Sequence, residues 1–337
     1  MREIIIAVDA MGADAGPQVA VEGAVSALSD PKIKKILLLG SQNELSPLLA
    51  KLPHDPKRLE IVSTAEVISA EDSPTVAIKT KKNSSMVVGL KMVKDGQAAA
   101  FVSAGSTGAL LTGATLIVGR IKGIKRPALG VLIPNTTKGF TLLIDAGANV
   151  DAKPEYLPQF AQMGAVYVQE MLDVKNPRVG LINVGAERDK GNAMTKEVYG
   201  LLEATQGINF IGNVEGRGLP YGEADVAVCD AFVGNIVLKY AEGAFKGVFA
   251  LLKEELMAGF ASKMGGLLAK PAFKRIRTRF DYKEYGGAPF LGLTGLVVKA
   301  HGSSDARAFK SSIAQCARFI ENDVVGKITA LQRKDEE

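Results

Sequence analysis

A chain of 337 residues, 47% hydrophobic and 23% charged, buries enough apolar surface for one large core or two lobes on a shared sheet, which excludes disordered and fibrous classes. Its net charge of +5 favours anionic partners, but with no Trp and with scattered Tyr and Phe it carries no groove-reading or base-stacking motif, so nucleic acid is set aside. The two cysteines, Cys229 and Cys316, sit in apolar segments as reduced core residues of a cytosolic protein, and His54 and His301 lie far apart without ligand spacing, so neither a disulfide nor a metal site is expected.

Chain order begins with a strand. The run IIIAVD, Ile4 to Asp9, is too short for the core of a signal peptide and ends on a carboxylate. The longest apolar stretch, within GALLTGATLIVG, falls well below the roughly 18 residues of a bilayer span, so no integral membrane segment is expected. After Asp9, Gly12, Gly16 and Pro17 make a turn; a carboxylate there either orients a substrate group or catalytic partner, or caps a helix. No G-x-G-x-x-G follows, which argues against a dinucleotide at this crossover.

The same pattern then repeats: an apolar run, a glycine with a polar residue, and helical periodicity. It recurs in KKILLLGS, LEIVSTAE, AAAFVSAG, TLLIDAGAN, RVGLINVGAE, INFIGNVEG and DVAVCDAF. Strands that are continuously apolar are covered by helices on both faces, so the predicted class is α/β with a mostly parallel, doubly wound sheet. In such sheets the strand carboxyl ends line the ligand crevice, and here those ends supply Asp9, Ser103, Asp145, Glu187, Glu215 and Asp230. No linker or internal repeat divides the chain, which reads as one unit over 1–333 with room for two lobes.

The segment FVSAGSTGALL is the sharpest signal. Ser103, Gly105, Ser106, Thr107 and Gly108 place hydroxyls and free backbone N–H groups at a helix start, and small residues throughout let an anion approach the backbone. No Gly-Lys-Ser/Thr follows, so it is not a P-loop. Further on, NVGAERDKGN sets Lys190 where it reaches a phosphate or oxyanion, or lies in a solvated charged loop. CDAFVGN brings Asp230 and the Asn235 amide to a strand-to-helix junction as a cap or an oxyanion donor. Residues 242–280 form a helical protrusion, with Phe245, Val248, Phe249, Leu252 and Leu256 at helical spacing. Beyond Leu256, Lys and Arg alternate with Phe260, Leu267, Leu268, Phe273 and Ile276 without an acidic residue, which suits a dimer hairpin, an anionic membrane interface, or both. EYGGAPFLGLTG then reads as a Gly-rich loop, and AHGSS sets His301 before Ser303, Ser304 and a final helix, as a structural hydrogen-bonder or a catalytic group.

Taken together and in this order, AVDAMG, SAGSTGAL, LIDAGAN, GAERDKGN, NFIGNVEG, VCDAFVGN, EYGGAPFLGL and AHGSS resemble the bacterial phosphate acyltransferase family of phospholipid synthesis, over nearly the whole chain. Ala13, Ser106 and Ala231 depart from that pattern, which has Gly, Asn and Gly there. The resemblance implies a three-layer α/β/α sandwich like those of isopropylmalate dehydrogenase and phosphotransacetylase. It further implies a cytoplasmic homodimer resting peripherally on the inner membrane face, without cofactor. The implied reaction is transfer of an acyl group from acyl carrier protein to inorganic phosphate, with the acyl phosphate passing to a membrane glycerol-3-phosphate acyltransferase.

Phosphate is itself a nucleophile and a thiolate a good leaving group, so direct attack needs no protein nucleophile, consistent with the absence of a G-x-S-x-G elbow. The loop of Ser103, Gly105, Ser106, Thr107 and Gly108 is then expected to cradle phosphate. Lys190 and Asn235 serve as oxyanion or phosphate contacts, Asp9 positions one of them, and His301 protonates the thiolate or hydrogen-bonds. Asp145 and Asp230 complete the expected substrate-binding set, and Phe260, Leu267, Leu268, Phe273 and Ile276 the membrane or dimer contacts. Competing readings are a phosphotransacetylase-like enzyme of short acyl-CoA, a non-catalytic membrane adaptor, and a nicotinamide dehydrogenase lacking its fingerprint.

Overall fold

The computed structural model describes residues 3–137, 139–280 and 285–334. Met1, Arg2, Lys138 and residues 281–284, which belong to the expected 1–333 unit and include the Glu284 that opens the EYGG motif, lie outside the described residues. Among the described residues, eleven strands form one sheet: β1 (Ile4–Asp9), β2 (Ile33–Gly40), β3 (Leu59–Ser63), β4 (Ala100–Ser103), β5 (Ala128–Pro134), β6 (Phe140–Ile144), β7 (Arg178–Asn183), β8 (Asn209–Glu215), β9 (Val226–Val228), β10 (Ala288–Leu291) and β11 (Leu296–Lys299). The α-helices are α1 (Pro17–Ala27), α2 (Gln42–Leu49), α3 (Pro74–Thr80), α4 (Ser85–Lys94), α5 (Thr107–Gly113), α6 (Leu157–Leu172), α7 (Ala193–Ala204), α8 (Ala231–Met257), α9 (Phe260–Phe280), α10 (Ala306–Glu321) and α11 (Val324–Lys334).

The strand order is β3-β2-β1-β4-β11-β10-β5-β6-β9-β7-β8. All eight runs read as strands from their apolar pattern are strands. Two parallel groups, β3-β2-β1-β4-β11 and β6-β9-β7-β8, are joined by antiparallel pairings of β11 with β10, β10 with β5, and β5 with β6. Three reversals leave the two groups running in opposite directions, so their carboxyl ends do not share an edge. Segments after β4, β6, β9 and β11 nevertheless line one cavity, whereas Glu187 and Glu215 do not. EYGGAPFLGLTG is corrected: within it, Ala288–Leu291 is the central strand β10, not a loop. It is flanked by glycines and opens on Ala288 and Pro289, which disguise it as a turn. Gly287 is obligatory because a Cβ there would strike the Val298 side chain and lie 2.8 Å from the Lys299 carbonyl.

Packing follows the apolar stripes. In α10, Phe309, Ile313, Cys316 and Ala317 recur at helical spacing and are buried, while the Asp305 carboxylate caps the first turn by accepting from Ala308 N–H at 3.0 Å. Phe309 lies directly against Gly23 of α1. On the second parallel group, Gly164 of α6 lets that helix close on Val226 and Ile144. Each fully buried side chain of this size contributes about 2 kcal/mol of hydrophobic stabilisation. One cluster runs without a break from Ile6 and Val102 to Val179 and Val226, so the two parallel groups share a core.

Helix α8 starts at Ala231, ahead of the expected residue 242, because Asp230 caps it: its carboxylate accepts from Val233 N–H at 2.8 Å. With α9 it forms a hairpin, closed by Leu256 against Gly266 and by stacking of Phe245 on Phe280 with ring centroids 4.4 Å apart. No residue of α9 is buried. Of the five α8 positions read as an apolar stripe, Phe245, Phe249 and Leu256 are half-buried, while Val248 and Leu252 are exposed.

Candidate active site

Three loops at the carboxyl ends of β1, β4 and β11 are knitted together. The Asp9 carboxylate, buried at the end of β1, accepts from the Ser103 hydroxyl at 2.7 Å and from Met11 N–H at 3.0 Å. Ser103 Oγ in turn accepts from Gly105 N–H at 3.1 Å. A Cβ on Gly12 would lie 2.5 Å from the Gly105 nitrogen, so glycine is what lets the first loop touch the second. Asp14 N–H donates to the Gly302 carbonyl at 2.9 Å, tying in the third. Asp9 and Ser103 therefore shape the anion loop from behind. Ser103 is fully buried and both sides of its hydroxyl are committed, so its placement is that of a brace rather than of a phosphate ligand.

Ser106 caps α5, its Oγ accepting from Ala109 N–H at 3.4 Å, a role that either Ser or the Asn of the resembled pattern performs. Gly108 packs on Pro74. Of the five loop residues, Thr107 is the one whose surface lines the large cavity beside the loop.

That cavity holds about 920 Å³, within the range of small-molecule sites. Asn235, Thr107, Lys299, His301 and Ser303 line it together with the Leu129, Val131 and Ile133 row of β5 and with Phe245, Phe249 and Phe280 of the hairpin. Along α8 the lining runs from Asn235 to Lys253, about 27 Å at 1.5 Å per residue. The site joins charged and hydrogen-bonding groups to a long apolar wall.

His301 is half-buried. Its Nδ1 accepts from Ser303 N–H at 3.2 Å and lies 2.9 Å from the Ser303 hydroxyl, so in the neutral ring the proton sits on Nε2. Burial pushes its pKa below the usual 6.5; Glu242 opposes this, while Lys239, Lys299 and Lys246 reinforce it. The imidazole is neutral at pH 7 and acts as a hydrogen-bond donor through Nε2.

Lys299 escaped the sequence reading. It ends β11, opposite Ser103, and its ammonium donates to the Ala104 carbonyl at 2.9 Å and also to the Ala300 carbonyl. Burial lowers its pKa to about 8, opposed by the more distant carboxylates of Asp14 and Asp9 and aided by Lys239. The signal in the sequence was a Lys closing the apolar run LVVK immediately before the hydroxyl-rich turn.

Asp145 and Asp230 are placed as organisers. The fully buried Asp145 carboxylate accepts from the backbone N–H groups of Leu129, Gly147, Ala148 and Asn149 and from the Asn149 side-chain amide, at 2.7 to 3.1 Å. Burial pushes its pKa up and these donors oppose the shift. It sets the floor of the cavity at Ala146 and Gly147, and Gly234 lets α8 approach its carbonyl.

Lys190 stands apart. It is exposed on the loop after β7, does not line the cavity, and makes no ion pair among the described residues. Its loop is held by Asn183, whose Nδ2 donates to the Lys190 carbonyl at 3.1 Å, and by the paired Arg188 and Glu203. In the sheet β7 lies beyond β9, farther from the β11-β10-β5-β6 junction than the strands whose following segments, at Ala146 and Asn235, reach the cavity. Phe260, Leu267, Leu268 and Ile276 are exposed on the hairpin, Phe260 at 84%, whereas Phe273 is half-buried.

A sequence model described as fatty acid synthesis protein matches residues 4–327. The phosphate acyltransferase of Clostridium perfringens (strain SM101 / Type A) is 51% identical over 324 residues, covering 96% of this chain and 95% of that protein. The phosphate acyltransferase of Clostridium botulinum (strain Loch Maree / Type A3) is 49% identical over 325 residues, covering 96% of each. Among solved structures, a phosphotransacetylase from Streptococcus pyogenes superposes with a TM-score of 0.63 at 19% identity, over 95% of this chain and 94% of that one, which establishes the shared α/β architecture. A match over nearly the full length, with relatives about half identical, places the chain in the fatty acid synthesis protein family.

Proposed function

We infer that this chain is a cytoplasmic phosphate acyltransferase that moves a fatty acyl group from acyl carrier protein to inorganic phosphate. The observation that carries the reading is the single cavity in which Thr107, Asn235, Lys299 and His301 meet a long apolar wall, the pairing an acyl thioester and an anion require. The names of the curated relatives support it. An oxygen of hydrogen phosphate attacks the thioester carbonyl, the C–S bond breaks, and the proton of hydrogen phosphate ends on the departing thiolate. Acyl phosphate and free carrier result, and the acyl phosphate feeds phospholipid synthesis through a membrane glycerol-3-phosphate acyltransferase.

No enzyme nucleophile takes part. Both cysteines are buried and burial pushes both thiols well up, so neither forms a thiolate. Catalysis is positioning and charge stabilisation: the Asn235 amide and the neutral His301 Nε2–H donate to the developing oxyanion or the departing sulfur, and the Asp9-braced loop presents Thr107 to phosphate. Lys190 remains the second expected phosphate or oxyanion contact, although it does not line the cavity of the single chain.

The basic, apolar hairpin gives the protein a second role as a peripheral membrane protein. No helix among the described residues is long and apolar enough to cross a membrane, but Phe260, Leu267 and Leu268 at the hairpin tip suit the headgroup boundary of an anionic bilayer, and the remaining exposed face of α8 suits a second copy of the chain. The same cationic surface meets the acidic carrier. The donor is tested by comparing palmitoyl-acyl carrier protein with acetyl-CoA in the presence of phosphate. Turnover with the carrier substrate and little with acetyl-CoA is expected. The reverse preference would identify a phosphotransacetylase, and no turnover with either would leave a membrane adaptor.

A further inference from the structure

A largely buried ammonium needs a counter-charge, since withdrawing a cation from water is costly unless an anion repays it. Lys299 has no ion-paired counter-charge among the described residues. Its two described contacts are the carbonyls of Ala104 and Ala300, it makes no ion pair among the described residues, and Asp9 and Asp14 act on it only at a distance, with Asp9 already taken by Ser103 and Met11. Lys299 forms part of the cavity lining together with Thr107 and His301. It sits on β11 in register with Ser103, where the backbone rather than a flexible loop fixes it.

We propose that Lys299 is a catalytic residue of the acyl transfer: its Nζ binds an oxygen of inorganic phosphate and remains bound to the phosphoryl group of the product. This rests on the acyl-transfer reading for its chemistry, though not for its binding step. Ala104 and Ala300 hold two of the three N–H donors and aim the third, so the lysine acts as a fixed point charge with which no carboxylate among the described residues forms an ion pair. The anion supplies the missing charge and restores the lysine to its ordinary basicity. The groups that set its titration are Asp9 and Asp14 on the first loop, Lys239 on α8, and the neighbouring His301 on its own strand's exit.

The test is calorimetric titration with inorganic phosphate alone, without acyl donor, on the full chain and on Lys299→Gln and Lys299→Arg. For the wild type, affinity is expected to weaken about tenfold per pH unit above the lysine's pKa of about 8. Lys299→Gln should lose on the order of a hundredfold, and Lys299→Arg should retain binding with no fall over that range, because guanidinium does not titrate there. A purely structural lysine would not transfer its pH limb in this way. Phosphate binding by Lys299→Gln at the wild-type level overturns the proposal. So does a wild type that binds no phosphate, and so does wild-type affinity that is flat across the lysine titration, which decides the matter should the variants fail to fold. Because no acyl donor is present, failure of the acyl-transfer reading would appear separately, as bound phosphate without turnover.

Discussion

Asp9, Asp145 and Asp230 look alike at strand ends but differ in what they hold. Asp145 accepts five hydrogen bonds in full burial, so Asp145→Ala should cost about 3 kcal/mol or more in urea unfolding, because several buried N–H groups lose their acceptor together. Asp230→Ala removes one helix cap and should cost about 1 kcal/mol. Asp9→Ala frees the Ser103 hydroxyl and unfastens the anion loop, so phosphate affinity should fall by more than stability does, read by calorimetry against thermal unfolding. For His301, an NMR titration should place the midpoint below 6.5, since burial disfavours the charged ring. The sign follows: a folded-state pKa below the unfolded value means the unfolded chain binds the proton more readily, so this residue's contribution favours folding above pH 6.5 and opposes it on acidification. Asp9, Asn235 and His301 were legible as candidates, Asp9 as a strand-end carboxylate, His301 beside a hydroxyl-rich turn and Asn235 at a strand-to-helix junction. Lys299 was not, because a Lys closing an apolar run looks like a solvated end, and its desolvation comes from Ala104 and its neighbours, far away in the chain.

At the scale of elements, eight strands were legible from continuous apolar runs, whereas β5, β10 and β11 were not and gain their place from the antiparallel partners they join rather than from pattern. The α8–α9 hairpin was legible as helix, but not what its apolar residues face, since helical spacing does not say whether a stripe meets the core, a membrane or a second subunit. Its exposure gives a clean variant. Phe260→Ser with Leu268→Ser should leave unfolding within about 0.5 kcal/mol of wild type, since neither side chain is packed. The same pair should abolish co-sedimentation with vesicles of anionic phospholipid. Unchanged sedimentation would assign the hairpin tip to subunit contact alone.

For the whole molecule, the decisive feature is the antiparallel junction β11-β10-β5-β6, which turns two parallel groups into one sheet and brings only their central strands to the cavity. Doubly wound layering was legible; the reversal was not, because strand direction depends on pairing between distant segments. Gly287→Val at the junction should lower the unfolding temperature of both groups together in a single calorimetric transition, as the core they share requires. The cavity over that junction is the site proposed for acyl thioester and phosphate, and one measurement tests their direct reaction. Purified protein is mixed with palmitoyl-acyl carrier protein, with and without inorganic phosphate, while free carrier, hydroxylamine-trapped product and the intact mass of the protein are followed. Release of carrier only with phosphate, with stoichiometric palmitoyl hydroxamate and an unmodified protein mass, is the expected result. Carrier release without phosphate, or a protein carrying a palmitoyl group, would contradict direct transfer.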